Sequence, residues 1–310
     1  MSEKSIQIEV ELDSHDLCEG HQLYAVLNSA IKSRSDLQIT NTSQEQIFWV
    51  AEHFGLDKVS IFRKANKAEQ QKILQGCSRN VLAESYYIEK CGMYFSAKMS
   101  LLAKNTQERM LYSMFASDEA VHFNWMANFI SQEDITDFLQ NPFIQLIEEL
   151  LQKEESATLA YIVQVILEGW GIHHYQSLAK NCLDPSLKKV FETILKDEAR
   201  HHASGLILFN EQKLSEQQLN HIAEILVRFF RMVQTGPQMV VAQLEQVKGQ
   251  LSMEEKVQLF AELSYASETA KKLSILKSFI KAAAYADVIL GKLEQANSFK
   301  PFTAAECAAL

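Results

Sequence analysis

Two stretches of the chain share one pentapeptide frame, DEAVH at residues 118–122 and DEARH at residues 197–201. Each contains a glutamate followed by a histidine three positions later, and no other Glu-x-x-His occurs in the sequence. On a helix, residues i and i+3 lie on one face with their Cβ atoms about 5–6 Å apart. A carboxylate and an imidazole in that arrangement can bind one metal ion together. The sequence therefore predicts a helix at each stretch, each with a pair of metal ligands.

A second glutamate precedes each pair at the same distance. Glu89 lies 30 residues before Glu119, and Glu168 lies 30 residues before Glu198. The midpoints of the two intervals, residues 104 and 183, fall within the turn signals at 104–106 and 181–185. Residues that are equidistant from the turn of an antiparallel helical hairpin lie at one level. We therefore expect each early glutamate to lie beside the Glu-x-x-His pair that follows it.

A glycine follows each early glutamate three positions later, Gly92 after Glu89 and Gly171 after Glu168. This repeat indicates two similar halves related by an approximate two-fold axis. Glu84, which lies 35 residues before Glu119, is the alternative first ligand. The turn midpoint and the repeated glycine favour Glu89 over Glu84.

Composition favours an all-α fold. Of the 310 residues, 47% are hydrophobic and 22% are charged, as in globular proteins. Only 10 glycines and 4 prolines are present, whereas β-hairpins and sandwiches need many turn residues. The predicted fold is a four-helix bundle with additional N- and C-terminal helices.

Charge and cysteine usage argue against several classes of protein. The net charge of −9 disfavours binding to nucleic acid. The five cysteines are scattered and form no Cys-x-x-Cys, which disfavours a disulfide framework, a zinc ribbon and a rubredoxin-type iron site. No apolar run reaches the roughly 18 residues of a membrane span, and the N-terminus has no signal pattern. A cytoplasmic protein that does not bind membranes is expected.

Three segments are predicted along the chain. Residues 1–43 form an N-terminal segment, in which the alternation over 6–12 allows one short strand. Residues 44–212 form the bundle with its metal site. Residues 213–310 form further helices that pack on the bundle or extend it, and the last dozen residues are expected to be a loose tail.

Turn signals bound the predicted helices of the middle segment. The first helix begins with a capping-box pattern at Ser43 and Gln46. The other predicted helices cover about 67–103, 107–131, 142–180 and 185–211.

Six residues are thus predicted to converge: Glu89, Glu119, His122, Glu168, Glu198 and His201. Four carboxylates and two imidazoles in a bundle core form the ligand pattern of ferritin-like di-iron carboxylate proteins. The chain resembles this superfamily over about residues 67–211. The paired motif is specific for the superfamily, although not for one reaction. The resemblance implies two bound iron ions, with a manganese and an iron ion as the alternative.

The resemblance also implies a role for each ligand. Glu119 and Glu168 are the candidates to bridge the two ions. The histidines of the two motifs would each bind one ion through a ring nitrogen. The aspartates that open the two pentapeptides, Asp118 and Asp197, would accept hydrogen bonds that orient those histidines.

Several nearby side chains leave alternatives open. His202 faces the core and is either an extra ligand or a hydrogen-bond partner of its neighbours. Tyr112 and Tyr161 each lie seven residues before a proposed ligand, so they are either redox-active or packing residues. His173 and His174 are interpreted as histidines of the helix surface or of the surroundings of the site.

The resemblance implies an oxidoreductase, namely an O₂-activating non-haem di-iron oxygenase or oxidase. Small and apolar residues around the predicted ligands either leave room for O₂ and a small, largely apolar organic substrate or allow close packing of the helices. An external electron donor such as a ferredoxin or a flavin reductase is expected, and a homodimer is one option for the assembly. The alternatives are a ferroxidase or iron-handling protein and a radical-generating protein. The extra C-terminal helices disfavour a storage cage, and a glutamate at the first ligand position disfavours the radical-generating subunit of ribonucleotide reductase.

Overall fold

The computed structural model describes residues 10, 12, 21–35, 37, 39, 46–131, 135 and 137–310. These residues contain helices, turns and loops but no strand, which confirms the predicted all-α class. The short strand predicted within 6–12 and the capping residue Ser43 fall outside the described residues, apart from Val10 and Leu12.

The helices are numbered here in chain order. They are α1 Gln22–Lys32, α2 Ser60–Lys64, α3 Lys67–Leu102, α4 Thr106–Ala127, α5 Pro142–Lys153, α6 156–181, α7 Pro185–Asn210, α8 Glu216–Gln234, α9 Gln238–Lys248, α10 Met253–Glu262, α11 Tyr265–Ala282, α12 Ala286–Gln295 and α13 Ala304–Ala308. Short 3₁₀ turns lie at Ala51–Phe54, Leu56–Lys58 and Asp137–Gln140. Within α6, the segment Ala160–Leu167 has π-helical hydrogen bonding, and Glu168–Asn181 continues as α-helix.

Side-chain caps fix where the long helices begin. Asn66 and Glu69 form a capping box at the start of α3. The side chain of Asn105 accepts a hydrogen bond from the backbone N–H of Glu108 at the start of α4. Asp184 caps α7 directly before Pro185, whose missing N–H costs nothing at the first helical position. These caps place the two predicted turns, and helices α3, α4 and α7 follow their predicted bounds closely.

Two antiparallel helical hairpins form the centre of the structure. Helix α3 packs along α4 and α6 packs along α7, while α4 and α7 contact each other across the two hairpins. Aliphatic and large aromatic side chains fill the hydrophobic core, and the aromatic ones include the almost completely buried Phe95, Tyr112 and Phe209. The four long helices therefore face one another along a common interior.

The C-terminal helices complete two hydrophobic cores. Helix α8 packs on α5, α11 and α12, and α11 also contacts α6. A separate small core joins α2, the start of α3, α9, α10 and α13. No helix in the described part of the chain is long and apolar enough to span a membrane.

The expectation of a loose C-terminal tail was wrong. Helix α13 has its own capping box at Thr303, and Cys307 within it is 1% exposed. The side chain of Gln238 donates a hydrogen bond of 2.9 Å to the backbone carbonyl of Cys307. The tail is ordered because it closes the small core, a contact that local sequence does not indicate.

The predicted helix beginning at residue 44 was also wrong. Residues 46–50 are irregular and are followed only by the 3₁₀ turn Ala51–Phe54. The indole of Trp49 is completely buried and donates a hydrogen bond of 3.0 Å to the carbonyl of Leu178 at the end of α6. Docking of this side chain outweighs the local helical preference.

The single helix predicted over 142–180 is in fact two helices. The chain is extended at Glu154 and Glu155, between α5 and α6. The buried ammonium of Lys98 donates hydrogen bonds of 2.7 Å and 2.9 Å to the carbonyls of Leu151 and Glu154. These carbonyls would otherwise be unsatisfied at the end of α5, so a lysine from α3 stabilises the break.

Candidate metal centre

The structure brings together all six predicted ligands, and all four long helices contribute to the cluster. Glu89 comes from α3, Glu168 from α6, and the two Glu-x-x-His pairs come from α4 and α7. Their ligand atoms form two groups, in each of which all atoms lie within 4.8 Å of one another. The groups are Glu89, Glu119, His122 and Glu198, and Glu119, Glu168, Glu198 and His201.

Glu119 and Glu198 are the two members that the groups share. Glu119 therefore has the intermediate position expected of a bridging carboxylate. Glu168 belongs to one group only, whereas Glu198 belongs to both, and the bridging role of Glu168 stays a prediction. Glu119 and Glu198 are the shared members because each lies one turn before a histidine. Their helices, α4 and α7, contact each other.

Each imidazole has one nitrogen facing the carboxylates and the other facing an aspartate. His122 Nδ1 lies 3.2 Å from Glu89 Oε2, and its Nε2 lies 3.0 Å from Asp197 Oδ2. His201 Nδ1 lies 3.1 Å from Glu119 Oε1, and its Nε2 lies 3.5 Å from Asp118 Oδ2. Both aspartates thus contact a histidine, but each contacts the histidine of the other pentapeptide.

Arg200 joins the two aspartates on the outer side of the cluster. Its guanidinium pairs with Asp197 and lies 3.6 Å from Asp118 Oδ2. Arg200 occupies the fourth position of the second pentapeptide, where the first has Val121. The sequence analysis missed this residue, although the departure from the repeat at that position was visible.

Burial opposes ionisation of most of the carboxylates. Burial, together with repulsion from neighbouring carboxylates, raises the pKa of Glu89 to about 7 and also raises the pKa of Glu168. The pKa of Glu198 is well above its ordinary range because of burial and the adjacent Glu168. Without metal ions, the cluster is therefore compatible with burial only if it holds protons.

The two histidines carry some of the protons that the metal-free cluster holds. Burial disfavours their charged forms, but contacts with carboxylates outweigh it and raise the pKa of His201 to about 10 and that of His122 well above its ordinary value. Burial likewise disfavours the anion of Glu119, yet its contacts with both histidines lower its pKa to about 2.

The donor atoms fit metal ions. Glu89 Oε2 and His122 Nδ1 face each other at 3.2 Å, but this contact does not have the geometry of a hydrogen bond, and neither atom forms one with another described residue. Buried polar atoms are rarely left unpaired in proteins, so atoms without partners call for a bound species. Four carboxylates would balance the charge of two divalent cations, which makes their burial together favourable. The cluster can therefore hold metal ions.

Tyr175 is a residue of the site that the sequence analysis missed. Its buried hydroxyl donates a hydrogen bond to Glu89 Oε1. Burial and the nearby carboxylates raise the pKa of Tyr175 well above its ordinary value, so the phenol keeps its proton. Tyr175 lies seven positions after Glu168, on the same helical stripe, and this spacing is the signal that could have found it.

The two tyrosines singled out from the sequence do not contact the ligand side chains through their hydroxyls. The Tyr112 hydroxyl donates a hydrogen bond of 3.0 Å to Gln164 Oε1, and Gln164 Nε2 donates to the backbone carbonyl of His201. The Tyr161 hydroxyl is buried without a hydrogen-bond partner in the described part of the chain, and its ring packs on Phe209. Tyr112 is thus linked to the ligand helix α7, and Tyr161 is placed as a packing residue.

Gln164 lies within the π-helical segment of α6. Gly205 of α7 faces it closely, since an added Cβ would lie 2.6 Å from Gln164 Cγ. Single π-helical turns within α-helices are frequent at functional sites. Here the segment ends at Leu167, so the distortion directly precedes the predicted ligand Glu168.

His202 and Glu84 lie outside both ligand groups. The ring of His202 packs edge-on to Phe279 of α11, with 5.3 Å between ring centroids. Glu84 instead lines a cavity next to the cluster, and His174 lines the same cavity. His174 is therefore not a surface histidine, which sequence position could not show.

The two repeated glycines have different surroundings. A Cβ on Gly92 would lie 2.7 Å from Glu119 Cδ and still closer to its Oε2, whereas a Cβ on Gly171 would meet nothing within 4 Å. A methyl group at position 92 would have to displace the Glu119 carboxylate, so Gly92 allows α3 to approach this shared carboxylate closely. Gly171 instead leaves open space beside the cavity.

The cavity opens directly on the cluster. It encloses about 670 Å³ of atom-free space, counting its opening to solvent. Its walls are mainly aliphatic and aromatic, and all four glutamates of the cluster line one end of it. The apolar part of the lining includes Ile88, Phe95, Phe143, Ile147, Val163, Leu167 and Trp170. A largely apolar lining with a few polar groups is typical of small-molecule sites.

Comparison with known proteins adds no family assignment, since the chain matches no family model, no curated protein and no solved structure.

Proposed function

We propose that the protein is an oxidoreductase of the ferritin-like di-iron carboxylate type, an O₂-activating oxygenase or oxidase that acts on a small, largely apolar organic substrate. The observation that carries this proposal is the apolar cavity, one end of which is formed by Glu89, Glu119, Glu168 and Glu198. A ligand cluster that only stored or transported metal would not need an apolar cavity beside it.

The ligand groups suggest which residues would hold each ion. Glu89 and His122 would bind one ion, Glu168 and His201 would bind the other, and two glutamates would be shared. Carboxylate-rich sites with two imidazoles suit iron or manganese better than structural zinc. When bound, two iron ions would supply the reduction of O₂ and the oxidation of the substrate, with electrons from a ferredoxin or a flavin reductase.

The surrounding residues have separate tasks in this proposal. Asp118 and Asp197 fix the orientation of the two imidazoles, so that each presents Nδ1 to the cluster. Tyr175 orients Glu89 and keeps a proton at its hydroxyl next to that carboxylate. The apolar cavity walls exclude water and leave space for the substrate.

A radical-generating protein is the second candidate function, because one observation favours it. Tyr175 is buried, and its hydroxyl is hydrogen-bonded to the predicted ligand Glu89. A tyrosine that the metal site oxidises would need this position. Electron paramagnetic resonance after exposure of the reduced, iron-loaded protein to O₂ tests this function. A stable tyrosyl signal that disappears in Tyr175→Phe would favour it over the oxygenase.

The first test of the oxygenase proposal is the metal content of protein from iron-supplemented cells, with a Mössbauer spectrum of a ⁵⁷Fe-loaded sample. We expect about two magnetically coupled iron ions per chain. Glu119→Ala and His201→Ala should lose the metal and the activity while keeping most of their helix content, and the exposed control Glu254→Gln should keep both. Absence of bound iron after anaerobic Fe²⁺ addition would overturn the proposal. A cage-sized particle on gel filtration would favour storage instead.

A further inference from the structure

The cavity has a polar end that is separate from the ligand cluster. Glu84 and His174 line it, and neither belongs to a ligand group. Glu84 lies five positions before Glu89 on α3, and His174 lies six positions after Glu168 on α6. At 1.5 Å of rise per residue, these side chains begin about 7.5–9 Å along the helices from the cluster. The remaining lining between the two ends is largely apolar.

The polar end is not satisfied by the protein itself. Nε2 of His174 is buried and has no hydrogen-bond partner among the described residues. No lysine or arginine is among the residues that line the cavity, although the charge of Lys272 acts on both Glu84 and His174. Burial raises the pKa of Glu84 to about 7, and Lys272 lowers it only in part. The Glu84 carboxyl and a histidine with an unpaired ring nitrogen thus line the same cavity.

Charge complementarity decides which head group fits there. An anionic group would meet the Glu84 carboxylate with no cation in the cavity lining. A protonated amine would pair with the carboxylate and donate a further hydrogen bond to the imidazole, which satisfies both groups. The apolar walls would cover the rest of such a molecule and direct its far end to the cluster.

We propose that the cavity binds a small primary amine with an apolar body, whose ammonium group is held by Glu84 and His174. The reaction of the bound amine rests on the proposed oxygenase function. It would take place at the end of the amine molecule that is remote from its ammonium group. Glu84 and His174 are specificity-determining residues in this proposal rather than ligands of a metal.

Lys272 of α11 provides the competing possibility. Its ammonium lies 6.0 Å from the centroid of the Trp170 ring, and Trp170 is part of the cavity wall. An anionic head group reaching toward Lys272 is therefore the alternative that the experiment must distinguish.

Binding to the metal-free full-length protein tests the proposal without reliance on catalysis. Benzylamine, benzyl alcohol and benzoate have similar bodies and carry a positive charge, no charge and a negative charge. Isothermal titration calorimetry should show that benzylamine binds about tenfold or more tightly than the other two, as expected for a charge-assisted hydrogen bond. Glu84→Gln should reduce benzylamine binding to the level of benzyl alcohol, while Glu254→Gln on the exposed surface should leave all three affinities unchanged.

The outcomes separate the two proposals. Tightest binding of benzoate that is lost in Lys272→Met would overturn the amine assignment, and so would equal binding of the three probes or an unchanged benzylamine affinity in Glu84→Gln. These results together with normal iron uptake would leave the oxygenase proposal standing. Benzylamine binding that depends on Glu84 in a protein that takes up no iron would support the amine site and overturn the oxygenase proposal. Circular dichroism of Glu84→Gln checks that the variant is folded.

Discussion

Asp197 Oδ2 lies 3.0 Å from His122 Nε2, so the aspartate of the second pentapeptide orients the histidine of the first. The reciprocal contact joins Asp118 to His201, and Arg200 links the two aspartates. Neither helical hairpin thus contains both a histidine and the aspartate that fixes it. The orientation of the imidazoles depends on the packing of α4 against α7.

We expect Asp197→Asn to weaken iron binding by about 10–100-fold, the usual range for loss of a hydrogen-bond partner of a ligating histidine. An amide can donate as well as accept a hydrogen bond, so it no longer fixes the proton on Nε2 of His122. Anaerobic Fe²⁺ titration measures the affinity, and Asp287→Asn on the exposed face of α12 is the control. Affinity equal to that of the unsubstituted protein would show that the aspartate has no part in binding.

Substitution of the two repeated glycines should have opposite effects. Gly92→Ala places a methyl group against the carboxylate of Glu119, so we expect reduced metal content and lower stability. Gly171→Ala meets open space in a helix and should raise the free energy of unfolding by about 0.5–1 kcal/mol. Urea unfolding and metal analysis of both variants provide the comparison. Equal effects of the two substitutions would contradict the difference in their surroundings.

Removal of the Tyr175 hydroxyl should destabilise the metal-free protein. Tyr175→Phe leaves a buried oxygen of Glu89 without its donor, which costs about 1–3 kcal/mol. Tyr161→Phe is the matched control, because that buried hydroxyl has no hydrogen-bond partner among the described residues. Thermal or urea unfolding distinguishes the two variants. A loss of stability in Tyr161→Phe as large as that in Tyr175→Phe would argue against a specific role for the hydrogen bond.

The stability of the metal-free protein should fall as the pH rises from 6.5 to 10. The pKa of His201 is about 10 in the folded protein and ordinarily 6.5, so its stabilising effect is complete below pH 6.5 and is lost as the pH rises through 10. The pKa of Glu89 is raised from 4.5 to about 7 in the folded protein. Deprotonation of Glu89 therefore also reduces stability as the pH rises from 4.5 to 7. Urea unfolding with a chelator at pH 6.5 and pH 9 measures the difference.

Metal binding should have the opposite pH dependence. The ligands must lose their protons to bind, so the affinity for Fe²⁺ should rise over the same pH range. A metal-free protein that becomes more stable at pH 9, or an affinity independent of pH, would contradict the protonation pattern derived for Glu89 and His201.

Periodic features of the fold could be predicted from the sequence. The spacing of 30 residues from Glu89 to Glu119, repeated from Glu168 to Glu198, gave the register of both hairpins because helical rise is constant. The two turns followed from local capping residues. The six clustered side chains could be named for the same reason.

Contacts between distant segments could not be predicted in this way. The break after α5 depends on Lys98 of α3, and the irregular segment around Trp49 depends on Leu178 of α6. Tyr175 and His174 lie on a predicted helix. Only the packing of the neighbouring helices shows that Tyr175 contacts a ligand and that His174 lines the cavity. Propensity describes the local chain, whereas these features come from tertiary packing.

The two shared glutamates, Glu119 and Glu198, make the halves of the cluster interdependent. In the proposed centre, an ion bound in one half would fix both carboxylates in position and would displace the proton of Glu198 before the second ion binds. Occupancy should therefore switch between empty and full over a narrow range of free metal, with few half-filled molecules. The same sharing predicts that substitution of either glutamate weakens the binding of both ions rather than of one.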